Sequence, residues 1–143
     1  MDTPRQDAVF RRFHLLRRHH ALLLQCWWLL LRVRLTLTFA DYRRVLRQIG
    51  RQAGSEDPAV DPARLVWAIR QAARTVPGAS CLTQALACRY RLARSGQACT
   101  IRIGVALDRP RRFEAHAWVI REGSVILGDS GDDLRRYRPI VDL

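Results

Sequence analysis

The sequence contains no lysine and no asparagine. Its 25 basic side chains are therefore all arginine, set against 13 acidic ones for a formal net charge of +12. An arginine-only basic set reflects a GC-rich genome as much as chemistry, and these arginines are scattered through every predicted element. Charge alone therefore does not argue for a nucleic-acid partner. No C-x-x-C pair occurs among the four cysteines (Cys26, Cys81, Cys88, Cys99), which removes the usual spacing of a zinc site, and neither metal nor cofactor is expected. No secretory signal is visible. The apolar run begins late, behind an Arg/His-rich segment, and no clean small-residue cleavage site follows it. Reduced thiols and a cytoplasmic location are expected. The densest apolar run, Ala21–Leu31, falls short of the roughly 20 residues that a spanning helix needs.

What is present suffices for one folded domain: 143 residues, 48% of them apolar. From Asp7 to Leu31 the pattern is helical and amphipathic, with Val9, Phe10, Phe13 and Leu16 interleaved with arginine pairs. This segment reads as a buried core helix. The alternative is a helix that docks on a partner or on anionic lipid, a peripheral membrane contact suited to Trp27, Trp28 and the flanking arginines. Val33–Phe39 fits a strand or a helix equally well. Gly50–Pro62 is the one plausible linker.

Asp61 caps a predicted helix with Pro62 at its first position, and Leu65, Val66, Ile69 and Ala72 line its inner face. Val76-Pro77-Gly78 then breaks the helical pattern, and Leu82, Ala85, Leu86, Tyr90 and Leu92 resume it toward Gly96. Cys81 thus falls in or just before the first turn of a helix. Unpaired backbone N–H groups and the positive end of the helix dipole favour the thiolate there. The ordinary alternative is a small buried hydrophobe.

Beyond Gly96 the chain reads as strands: Thr100–Val105, Phe113–Ile120 and Ser124–Asp129, with a turn at Arg109-Pro110 and an edge strand from Tyr137 to Val141. Helices first and an antiparallel sheet after make the fold class α+β. A two-residue hairpin at Glu122-Gly123 pairs Arg121 with Ser124, and that register sets His116 opposite Asp129. Trp118, Leu127, Ile120 and Val125 complete that face. A primed thiol, a histidine and a carboxylate are the parts of a Cys–His–Asp triad, although a lone His–Asp pair is as often a structural hydrogen bond.

Cys81-Leu82, Ala85-Leu86-Ala87, Gly104-Val105, Phe113-Glu114-Ala115-His116-Ala117-Trp118-Val119 and Asp129 together resemble the transglutaminase-like cysteine peptidases of lasso-peptide biosynthesis. The resemblance implies a transglutaminase-like or papain-like core over residues 56–143, behind an N-terminal helical segment over 1–55. It implies Cys81 as nucleophile, His116 as base and Asp129 as its orienter. It also implies a substrate, the leader region of a ribosomally made precursor, and two partners. One is a separate leader-binding recognition protein. The other is an ATP-dependent, asparagine-synthetase-like cyclase. The alternatives are an amine-accepting acyltransferase on the same scaffold and a non-enzymatic arginine-rich binding module, whose affinity would fall steeply with salt. Arg135-Arg136-Tyr137-Arg138 is the one local cluster that would suit the second.

Overall fold

The computed structural model describes residues 4–39, 42–52, 58–106, 113–129 and 134–143, and for 4–18, 42, 49, 50 and 52 it describes the backbone only. Four helices precede four strands: α1 (Pro4–Phe39), α2 (Tyr42–Gln52), α3 (Pro62–Ala73), α4 (Cys81–Arg94), β1 (Thr100–Ala106), β2 (Glu114–Arg121), β3 (Ser124–Leu127) and β4 (Arg138–Asp142). A 3-10 turn, Leu134–Arg136, leads into β4. The sheet is antiparallel throughout, in the order β3-β2-β1-β4. The α+β expectation holds.

Helix α1 settles the ambiguous stretch, since Val33–Phe39 continues the helix rather than forming a strand. Leu22, Cys26, Leu30 and Val33 are buried, whereas Leu24, Trp28, Leu35 and Phe39 are exposed. At 100° per residue the two sets occupy opposite sides of one helix. Helix α1 is therefore apolar on two faces; the buried one packs with α3, α4 and Val45 of α2, and the other is exposed. Its His19–Phe39 portion, 21 residues of mean hydropathy 1.3, is by length and composition sufficient to cross a membrane. The run Ala21–Leu31 alone fell short because the helix goes on through Leu35 and Leu37.

The expected linker is partly helical, because α2 takes in Gly50, Arg51 and Gln52. The Gly54–Asp57 portion lies outside the described residues, as does the turn expected at Arg109-Pro110. Asp61 caps α3 as the sequence indicates, its carboxylate accepting from the Arg64 backbone N–H at 3.2 Å. Leu65, Val66, Ile69 and Ala72 are buried in the core. That core joins α1 residues to Leu86 and Leu92 of α4 and to Ile101, Val119 and Leu127 of the sheet. On the other face of the sheet a smaller cluster gathers Ala106, Trp118 and Tyr137. Edge strand β4 is clamped to β1 by a bidentate pair: the Arg102 guanidinium donates to both Asp142 oxygens at 2.7 Å. That guanidinium holds the Asp142 carboxyl below its ordinary range.

Candidate active site

Cys81 is the first residue of α4, and the residue before it explains why the helix starts there. Ser80 is extended and its hydroxyl oxygen accepts from the Thr83 backbone N–H at 3.3 Å, which makes it the N-cap. The signal was legible, since a serine between a Pro-Gly break and a periodic run is a cap by type. Cys81 is partly exposed at this terminus, and the first-turn N–H groups have no intrahelical acceptors. A thiolate or an oxyanion placed here meets those donors and the positive end of the dipole.

The other three cysteines sit differently. Burial pushes the Cys26 thiol up to about 11, and it lifts Cys88 and Cys99 as well. All four are free thiols.

Helix α4 packs along β2 and β1. Its C-terminal half lies where β1 begins and β2 ends, because Arg89 of α4 and Arg121 of β2 both act on Cys99 just ahead of β1. The helix therefore runs in the direction of β2, and its start is directed toward the end of the sheet where β2 begins, the end that carries His116. The His116 side chain shares a face with Trp118, while Ala117 and Val119 point into the helical core. Its imidazole forms a triangle with two aromatic rings, Trp118 stacked at 6.1 Å and Tyr137 tilted at 5.1 Å, which also meet each other at 6.3 Å. Its Nε2 donates to the Gly128 carbonyl at 2.7 Å in the tautomer that leaves an Nδ1 lone pair free.

The hairpin turn forms as read. Glu122 and Gly123 both have positive φ, 51° and 78°, the pattern of a type I′ turn. Arg121 pairs with Ser124 and Ile120 with Val125, and then a bulge intervenes so that Val119 pairs with Leu127. The extra residue moves Leu127 off the Trp118 face and into the helical core beside Val119. The expected register between His116 and Asp129 does not extend past the bulge, and Asp129 lies beyond the end of β3. Among the described residues no hydrogen bond joins His116 to Asp129 or to Cys81. The observed partner of the ring is the carbonyl one residue before Asp129. Sequence reading missed this carbonyl and the Tyr137 ring, because a bulge without a marked turn residue leaves no local signal.

The Transglutaminase-like superfamily model matches residues 21–142. The chain belongs to that superfamily. No curated protein and no solved structure matches it significantly. Transglutaminase-like proteins are typically enzymes of the cysteine-peptidase or transglutaminase kind, and that activity class fits the features just described. Such acyl chemistry uses a thiol nucleophile and a base, and a helix-start cysteine and a histidine with one ring nitrogen held by an acceptor are residues of those kinds. The Gln84 side chain donates its amide to the Ala79 carbonyl at 3.1 Å and so braces the loop ahead of Cys81. The indole of Trp118 is buried in the cluster with Tyr137 on the far face of the sheet.

Proposed function

We propose that this transglutaminase-like protein is a cysteine peptidase that removes the leader from a ribosomally made lasso-peptide precursor, with Cys81, His116 and Asp129 as its triad. The observation that carries the reading is Cys81 as the capped first residue of α4, with that helix laid along the strand bearing Ala-His-Ala-Trp-Val. His116 Nδ1 takes the thiol proton or holds the thiolate as an ion pair. The thiolate attacks the carbonyl that ends the leader, and the Cys81 N–H donates to the developing oxyanion. The proton passes to the departing amine, leaving the leader as a thioester that water hydrolyses. Asp129, beside the carbonyl that grips Nε2, stabilises the imidazolium. His116 sits on the sheet face that carries Trp118 and Tyr137, whereas α4 packs on the face of Ala117 and Val119, so this reading requires the His116 ring to turn toward the helix start when substrate binds.

The partners in this reading are the precursor leader, a separate recognition protein that delivers it, and an ATP-dependent cyclase that uses the freed amino terminus. It involves no nucleic acid, and it works in the cytoplasm. The test is to combine the purified protein with precursor in ¹⁸O-labelled water, with and without the recognition protein. Cleavage should be slow alone and much faster with the partner, and the leader carboxylate should carry the label. Equal rates would remove the partner from the account. A leader capped by an added amine would make the protein an acyltransferase.

A further inference from the structure

At the end of α4 remote from Cys81 lies a groove of about 800 Å³, walled by α1, the approach to α3, and the last turns of α4. The two ends of this 14-residue helix are about 20 Å apart, so the groove is separate from the thiol. Leu24 and Trp28, 62% and 58% exposed, line it from the uncovered face of α1, opposite Val60. Around this apolar lining stand Arg32, Arg64, Arg91 and Arg94, and Asp61 is the only carboxylate among the lining residues. The Asp61 carboxylate is engaged in capping α3. The Arg64 Nε is shielded from solvent yet has no hydrogen-bond partner among the described residues. Arg94 is held in place, its guanidinium donating to the Tyr90 hydroxyl at 3.3 Å and lying over that ring.

We infer that this groove binds an acidic peptide segment bearing large apolar side chains. Guanidinium groups match carboxylates in a fork geometry, and four arginines around a lining whose one carboxylate already caps α3 make the groove complementary to acidic side chains. The lining of Leu24 and Trp28 takes the apolar side chains, with Trp28 the kind of residue that anchors protein interfaces. A bilayer presents a broad, nearly flat surface and does not enter a concavity walled by three elements. A protein segment does. The inference stands on the groove alone and does not depend on what Cys81 does.

The test is selection from a displayed random-peptide library against the full-length Cys81→Ala protein, whose remaining thiols are shielded from capturing peptides covalently. Recovered peptides should be enriched in Glu or Asp together with Leu, Ile or Phe. Their affinity should fall about tenfold or more on Arg32→Glu or Trp28→Ala, the loss expected for a charge-assisted contact or an anchor. Both residues are exposed, and unchanged thermal melting of the two variants confirms that folding is not the cause. Recovery of peptides without acidic enrichment overturns the inference, as does binding indifferent to both substitutions. So does a result in which phosphatidylglycerol vesicles bind, lose binding in the same variants, and no acidic peptide does.

Discussion

Burial lifts the Cys26 thiol from 9.0 to about 11 and pushes Cys88 and Cys99 up with it, so at neutral pH these three keep their protons. A protonated thiol is a poor nucleophile. Iodoacetamide near pH 7 should therefore label Cys81 first, with the other three modified only after denaturation. Peptide mapping by mass spectrometry reads the order. The same shift has a consequence for stability. A folded-state pKa raised above the unfolded one contributes stability that is complete below about pH 9 and is lost as pH rises through the folded value. The melting temperature should fall between pH 9 and about 11, and a Cys26→Ala protein should lose less over that interval.

Asp129 is the residue for which the structure changes the expected magnitude. In a serine-protease triad, exchanging the aspartate for asparagine inverts the imidazole tautomer and costs about 10⁴ in rate. Here the Gly128 carbonyl already accepts from Nε2 and fixes the tautomer, so in the proposed triad Asp129 would act electrostatically. Asp129→Asn should lower kcat by well under that factor without unfolding the protein. Asp132→Asn and Asp133→Asn should cleave at close to the wild-type rate. Cleavage assays on the three variants decide it, and a larger loss at Asp132 or Asp133 would transfer the role.

At the scale of elements, the β2–β3 hairpin carries the most information. Gly128 has φ +98°, and a Cβ there would lie 2.6 Å from Trp118 Cβ and 2.9 Å from the Ala117 carbonyl oxygen. Neither neighbour is a flexible chain end, so the carbonyl that grips His116 depends on this glycine. Gly128→Ala should cost at least about 1–3 kcal/mol from the backbone conformation alone. It should also shift the His116 ring resonances as the Gly128 carbonyl moves, measured by urea unfolding and by NMR of the imidazole. The turn itself was readable from Glu122-Gly123 and alternation, and so was the start of α4 from Pro-Gly followed by periodicity. The bulge was not. It depends on which residue satisfies the core, and Leu127 joined Val119 there in preference to the continuous ladder.

Over the whole molecule, the α+β order and the capped helix that starts at Cys81 were legible because caps, breaks and two-residue alternation are local signals. The double-faced character of α1 was not, since a helix apolar on both sides has no single stripe to detect. Whether an apolar side chain is buried or left facing solvent is decided by which face of α1 the other helices pack against. The clustering of His116 with Trp118 and Tyr137 likewise needed the tertiary fold, because Tyr137 lies 21 residues further along the chain.

The central claim, that Cys81 is the nucleophile of a leader peptidase, is tested most directly by precursor cleavage with single cysteine replacements. Each of Cys26→Ala, Cys81→Ala, Cys88→Ala and Cys99→Ala is assayed with the recognition protein present, its folding checked by circular dichroism. The account predicts that Cys81→Ala alone, fully folded, releases no leader, while the other three variants, wherever they fold, still cleave. A folded Cys81→Ala protein that cleaves the precursor at the wild-type rate would contradict it.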